Sequence, residues 1–317
     1  MDAWTLPPGW QGRLSTSKGR WFFWHASNPS AVTWTAPSWN DTVAASYNEN
    51  LRPDPASSLF RSCQNFCKSA VLNLWLFETL APGSRVLDVV CGKGGDMAKI
   101  PTGLSLSWTG VDIAEDALGE ARLRARRFFP DATFLKADFC KPLPVEPHSF
   151  DAAWSSFAFH YAGDALDSAL RNIKTALKPG ARFLFIVLDE SVETRHPAGF
   201  GPLRIERWEH RDVGPNGTCA SSTKCWVSFA GSFSSLPECI LSKAQVEAAC
   251  AAAKMTVICS LPLGDAANPL FDWALTPRQQ EVRATLQRLR DAFKDSRMWD
   301  STHFEFANCY RAWMVEA

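Results

Sequence analysis

Short apolar runs alternate with amphipathic stretches along this chain, most regularly between residues 57 and 189. Residues 57–80 open on Ser and carry Leu59, Phe66, Val71, Leu74 and Phe77 on one helix-like stripe. Pro82-Gly83 marks a turn, and 85–90 is an apolar run through Asp88 that predicts a strand. The small-residue turn CGKGG follows, and a helix-compatible segment, DMAKI, starts at Asp96. A second strand closes on Asp112, with a helix over 114–128. A third strand, 132–139, ends in Asp138-Phe139, and a fourth covers 149–161. Residues 164–180 form an amphipathic helix stopped by Pro-Gly, and 181–189 is a fifth strand. Strands alternating with helices of this length predict an α/β fold, a doubly wound, mostly parallel sheet.

Two regions break the rhythm. Residues 190–235 are rich in Gly, Pro, Asn and Ser, and LRIERWEHR and KCWVSFAG predict a hairpin around DVGPNGTCASST. This is an insertion, because a helix (242–255), a strand (255–259), a helix (276–293) and a closing strand (304–315) follow it. At the other end, residues 4–37 hold five of the 14 Trp, in short aromatic runs separated by turn signals, and read as three small antiparallel strands. The domain division is therefore 4–38, a linker at 39–46, and 47–317.

Charge narrows the function. Lys+Arg and Asp+Glu both number 33, which argues against bulk binding to a long polyanion but leaves room for a small anion held by placed cations. The 10 Cys are irregularly spaced with no CxxC pair, and the opening MDAWTLPPGW is too polar for a signal segment. Reduced thiols in the nucleus, or secondly the cytoplasm, are the expectation. No apolar run approaches membrane-spanning length, so no membrane partner is expected, and no Cys/His set completes a metal site.

The chemistry concentrates where parallel strands end. Ligands of open α/β sheets bind outside the carboxyl ends, which here offer Asp88, Asp112, Asp138 and Ser155-Ser156. A carboxylate after strand two suits a ribose diol, and Asp138-Phe139 suits an adenine edge and face. The Gly turn lacks the GKS or GKT of a P-loop, and reading back from Gly94 through Gly92 meets Val90, which spoils GxGxxG. S-adenosylmethionine fits this set better than a dinucleotide.

Four ordered motifs carry a resemblance. VLDVVCGKGGDM (86–97), RSCQNFCKS (61–69), SSFAFHYAG (155–163) and LPECIL (236–241) are similar to segments of the eukaryotic mRNA cap guanine-N(7)-methyltransferases. That resemblance implies a Rossmann-like class I methyltransferase domain over 47–317 with a seven-stranded sheet, S-adenosyl-L-methionine as cofactor and S-adenosyl-L-homocysteine as product. The substrate it implies is the GpppN end of capped RNA, methylated at nitrogen 7 of guanine. It places Lys68, Asp88, Val90, Gly92, Asp112, Ile113, Asp138, Phe139, Ser156 and Tyr161 around the cofactor. It places Gln64, Asn65, Lys93, Arg124, Phe157, His160, Tyr161, Glu238 and Tyr310 around the cap. Glu238, in a Pro-Glu turn, would accept the guanine N–H groups; Phe157, His160 and Tyr161 would wall the guanine, Tyr310 would lie near the methyl path, and Lys93 and Arg124 would face the cap phosphates, with transfer assisted by Glu238, Tyr161 and Tyr310 and no acid–base residue, since nitrogen 7 carries a free lone pair. Val90 departs from the pattern, which asks for Gly.

LPPGW, GRWFFW and TWTAP resemble a WW domain over 4–38. By that resemblance Trp10, Phe23 and Pro37 form the structural buckle, and Phe22 and Trp34 line a groove for a proline-rich peptide such as the RNA polymerase II tail. Two alternatives stay open. One is a different cap or small-molecule methyltransferase, although the Asn/Asp-Pro-Pro-aromatic motif of amino-methylating enzymes is missing after strand four and its only near match is NPLF at 268–271. The other is a catalytically weak cap-binding module tethered by the WW domain.

Overall fold

The computed structural model describes residues 10–25, 28–34, 55–100, 104–207, 223–229, 233–267 and 301–317. Pro37, the Trp10 side chain, the 39–46 linker, the DVGPNGTCASST loop, NPLF and the helix expected at 276–293 lie outside the described residues.

At the N-terminus, β1 (Trp10–Ser15), β2 (Arg20–His25) and β3 (Asn28–Thr33) form an antiparallel meander. Alternation along β2 buries Phe23 on one face and sets Phe22 on the other, its ring 5.6 Å from that of Trp34.

The main domain starts with α1 (Pro55–Val71), which continues through a wide turn at 72–76 into a tight one at 77–79. Then come β4 (Arg85–Val89), β5 (Ser107–Asp112), α2 (Glu115–Phe128), β6 (Thr133–Lys136), β7 (Phe150–Ser156), α3 (Leu166–Ala176) and β8 (Leu177–Leu188). The short α4 (Val192–Arg195) leads into β9 (Leu203–Arg207), β10 (Thr223–Phe229) and β11 (Phe233–Ile240). The chain ends with α5 (Lys243–Ala252), β12 (Thr256–Pro262), α6 (Leu263–Ala267), α7 (Ser301–Ala307) and β13 (Tyr310–Glu316).

Seven strands form one sheet in the order β12-β13-β8-β7-β4-β5-β6, and β13 alone runs against the rest. Two-residue periodicity decides its faces. Val86, Trp154, Leu184 and Ile186 pack into the layer with α1 and α2, while Leu87, Ala153, Phe183 and Phe185 pack into the layer with α3 and α5. The insertion contributes a separate three-stranded antiparallel sheet, β11-β10-β9, so the expected hairpin exists and carries a third strand. This is a Rossmann-like, mostly parallel seven-stranded fold, as the strand-helix alternation predicts.

Several boundaries differ from the expectations, each for a local reason. The helix expected at Asp96 is only the single turn Met97–Lys99, because Pro101 drives Ile100 into an extended conformation (φ −73°, ψ 134°). The helix expected to reach residue 180 stops at Ala176, since Pro179 disfavours helical backbone before it. The fourth strand ends at Ser156 rather than 161: Phe157 turns to φ 58° and 159–165 coil tightly, so Phe157 and Phe159 do not share a strand face. Residues 301–307 are helical, with His303, Phe306 and Ala307 buried at helical spacing, and the closing strand begins only at Tyr310.

Candidate functional site

The parallel strands deliver their acidic ends to one rim. Asp88 is the penultimate residue of β4 and Asp112 the last of β5, both buried, and Asp138 follows β6 in a turn where its carboxylate accepts the Cys140 N–H at 3.0 Å. The Gly turn sits between the first two. Its backbone takes positive φ at Val90 (61°), Gly92 (51°) and Gly94 (68°). At Gly94 a Cβ would run into Met97, so glycine there permits α2 and the turn to pack. At Gly92 the space around a Cβ is open, and its N–H donates to Asp112 Oδ2 at 2.7 Å. Asp112 Oδ1 accepts from the Ala114 N–H at 2.9 Å, which fixes the carboxylate and leaves each oxygen a further lone pair for a diol. Ile113, partly exposed, lies beside it.

Burial raises the Asp88 carboxyl well above the usual range, and the neighbouring Asp96 adds to this. Asp88 Oδ2 is buried without a hydrogen-bond partner among the described residues. An unpartnered buried acceptor on the strand that leads into the Gly turn suits an ammonium group, so the site fits the amino end of S-adenosylmethionine. Burial raises Asp112 as well, partly offset by the backbone N–H groups of Ala114, Gly92 and Ile113.

Asp96 organises the next layer, and the motif reading gave it no role. It is buried, and its Oδ1 meets Lys68 Nζ at 2.7 Å and Lys99 Nζ at 2.9 Å, while Ser156 Oγ donates to Oδ2 at 2.8 Å. Burial alone would lift this carboxyl; the two ammonium groups outweigh it and hold Asp96 below the ordinary range. Burial in turn lowers Lys68, against the pull of Asp96. Ser156 therefore spends its hydroxyl on Asp96 instead of pointing to the cofactor as expected. Lys68 is shared: it holds Asp96, lies 5.3 Å from the Phe157 ring centre, and keeps further N–H groups for a carboxylate. The signal that could have found the network is the acid closing CGKGGD with Lys99 three residues on. On α1, Gln64 stands one turn before Lys68 and Asn65 beside it, exposed.

Glu238 corrects the motif reading most. It is not in a turn but in β11, opposite Cys225 of β10, and is 2% exposed. Tyr161 Oη donates to its Oε1 at 3.1 Å, and His160 Nε2 lies 3.3 Å from Oε2, close but not aligned for a hydrogen bond. The ring of His160 meets that of Tyr161 at 4.5 Å, and His160 is 1% exposed. His160 is thus a buttress under Tyr161 and Glu238 rather than a wall of an open pocket. Phe157 and Tyr310 do meet, edge to face at 4.9 Å, and Tyr310 is itself buried. Phe139 also differs from expectation: its ring packs on Phe159 at 5.0 Å inside the core, so it offers adenine no open face.

On the outer side of the Gly turn, Lys93 pairs with Glu120 at 2.8 Å, and the exposed Arg124 reaches within 3.7 Å of where a Gly95 Cβ would stand. The two cations expected to face phosphate therefore border the same turn. Among the described residues no group of three or more His, Cys, Asp or Glu is placed to hold a metal, and no helix is long and apolar enough to cross a membrane.

Residues 86–180, which lie on the Rossmann-like sheet, match a family model described as a methyltransferase domain. Among curated relatives, an mRNA cap guanine-N(7) methyltransferase of Oryza sativa subsp. japonica is 29% identical over 171 residues, 48% of this chain and 45% of that protein. The corresponding protein of Schizosaccharomyces pombe is 28% identical over 175 residues, 49% of this chain and 48% of that one. A sterol 24-C-methyltransferase of Gibberella zeae is 34% identical over 106 residues, 33% of this chain and 27% of that protein. The chain spans less than half the length of these relatives.

Proposed function

We propose that this protein transfers the methyl group of S-adenosylmethionine to nitrogen 7 of the guanine that caps an RNA 5′ end. The observation that carries the reading is Glu238, a buried carboxylate held by Tyr161 with Oε2 lacking an aligned donor. Guanine presents two adjacent donors on its Watson–Crick edge, and a fixed, desolvated carboxylate is the acceptor that selects it. Phe157, Tyr161 and Tyr310 are the aromatic faces, and Lys93 and Arg124 are the cations for the phosphate bridge. Lys68, Asp88 and Asp112 would hold the methionine and ribose parts of the cofactor, with Asp138 toward the adenine.

The attacking nitrogen has a lone pair and no proton to lose, so no general base is required. Positive charge leaves sulfur and appears on the guanine ring, where Glu238 stabilises it; the remaining work is alignment. The four motifs and the two cap-methylating relatives support this reading over a sterol or other small substrate. One observation favours the weaker alternative, a tethered cap-binding module: Val90 puts a β-branched side chain at φ 61°, where the cofactor requires close backbone approach. The N-terminal sheet is proposed as a WW domain tethering the enzyme to a proline-rich partner in the nucleus.

The test is Glu238→Ala in the full chain. S-adenosylhomocysteine affinity should stay within about twofold while methyl transfer to capped RNA falls by roughly 100-fold or more, the loss typical of a transition-state contact. Retained turnover would remove Glu238 from the site and the guanine reading with it.

A further inference from the structure

A cleft of about 620 Å³ lies at the start of β5, the opposite end of that strand from Asp112. It sits between the C-terminal end of α2 and the segment that runs from the Gly turn into β5. Its apolar lining is Met97, Ile100, Leu104, Trp108, Phe128 and Phe129. A volume of this size suits a small-molecule site. Trp108 is buried, and Phe129 tilts against it with ring centres 5.2 Å apart. Phe128 differs from both: this large aromatic side chain, the last residue of α2, is 38% exposed. The cleft and the Gly turn share a wall, because Met97 lines the one and occupies the space a Cβ on Gly94 would need in the other.

Charge around the cleft is sorted. Inside, the polar groups are Ser105, Ser107 and Asp131, all exposed, and Asp131 is the one charged residue of the lining among the described residues. The cations stand outside. Arg127 Cζ lies 5.4 Å from the ring centre of Phe128. Arg124 is one helical turn before Phe128, on the same side of α2, and reaches the Gly turn at Gly95. Neither has an ion pair among the described residues, whereas Arg122 is spent on Glu115 at 2.8 Å. This sorting describes a ligand with an anionic part at Arg124 and Arg127 and an uncharged, flat, donor-bearing part within. A phosphate inside the cleft would meet Asp131 and no cation. A nucleobase there would stack on an aromatic ring and donate its N–H groups to a carboxylate or hydroxyl. A purely apolar ligand would leave both arginines unused.

We propose that this cleft holds the second nucleoside of a GpppN end, the one that the triphosphate joins to the cap guanine, with its base on Phe128 and its phosphates passing Arg124 and Arg127. The proposal rests on the cap reading of the site and on Arg124 as a phosphate contact. It adds a second point of recognition, which lets the protein tell a capped end from a free guanine nucleotide. The balance of 33 cations and 33 anions agrees with one local subsite rather than a track for a long RNA.

The test is isothermal titration of the full chain, saturated with S-adenosylhomocysteine, with GpppG and with GTP. Both present a guanine and a triphosphate; only GpppG has the second nucleoside. GTP carries the greater charge, so a preference for GpppG is not electrostatic. The wild type should bind GpppG about five- to 150-fold more tightly than GTP, the range of one base stacked on an aromatic ring. Phe128→Ala should remove that preference by weakening GpppG alone, and Phe128→Trp should keep it. Equal binding of the two probes by the wild type overturns the proposal and leaves the cap reading standing. Binding of neither removes the cap reading, and the proposal with it. A preference that survives Phe128→Ala puts the second nucleoside elsewhere and overturns the proposal. So does an apolar dye, anilinonaphthalene sulfonate, whose binding is lost in Phe128→Ala yet undisturbed by GpppG, since the cleft would then belong to a small apolar molecule. Phe128 is exposed at a helix end, and an unchanged melting temperature of each variant confirms that the fold is intact.

Discussion

Replacing Val90 by Gly should tighten cofactor binding. Val90 follows β4 with φ 61°, in a region where an L-residue costs about 1–2 kcal/mol and a β-branched one sits at the upper end. Glycine removes that strain. It also removes an isopropyl group half-buried in the α3 layer, a loss of about 1 kcal/mol, and adds chain entropy of about 0.5–1 kcal/mol to the unfolded state. These terms nearly cancel, so the melting temperature should move by no more than about 2–4 °C. The binding term has no such offset. Crowding a packed site with extra methyls costs about 1–3 kcal/mol, so the variant should bind S-adenosylhomocysteine about five- to 150-fold more tightly. Val90→Ala keeps the strained backbone and sheds the two methyls, and its affinity should fall between the two. Titration calorimetry with S-adenosylhomocysteine measures all three proteins. If the glycine variant binds no more tightly than the wild type, Val90 does not crowd the site.

Asp88 should make cofactor binding pH-dependent: burial raises its carboxyl, the cofactor ammonium needs it ionised, and affinity should fall as pH drops through the raised value. Because the folded-state value lies above the unfolded one, Asp88 supports folding at low pH and loses that support as pH rises, so Asp88→Asn should stabilise the free protein at neutral pH while weakening S-adenosylhomocysteine; a wild-type affinity flat with pH would count against the ammonium contact. Arg124→Ala should weaken capped RNA and lower the salt slope of binding by about one, measured by anisotropy at several salt concentrations; an unchanged slope removes Arg124 from the phosphate path. Phe22→Ala with Trp34→Ala should abolish binding of proline-rich peptides and leave methyl transfer to short capped RNA intact; undiminished peptide binding would place the ligand elsewhere.

The parallel sheet was legible because its strands alternate with helices and because each strand sends alternate residues to two buried layers, as Leu87 and Val86 do. The acidic strand ends were legible for the same reason: topology alone carries Asp88 and Asp112 to one rim. What failed was local. LPECIL has Pro beside an acid, which reads as a turn, yet pairing with β10 makes it a strand and buries Glu238. FAFHY alternates like a strand, but the positive φ of Phe157 ends the strand and swings His160 beneath Glu238, a change that no periodicity records. Asp96 was missed because its role depends on Lys68 and Ser156, which are 28 residues before it and 60 after it in the chain.

The central claim is that the substrate is a guanine cap. The most direct measurement is methyl incorporation from S-adenosylmethionine into one RNA prepared with a GpppG end and with an uncapped 5′ end. Incorporation only into the capped RNA, with the label recovered as 7-methylguanine, is the predicted result; equal labelling of the uncapped RNA, or a methyl group recovered at another position, would contradict it.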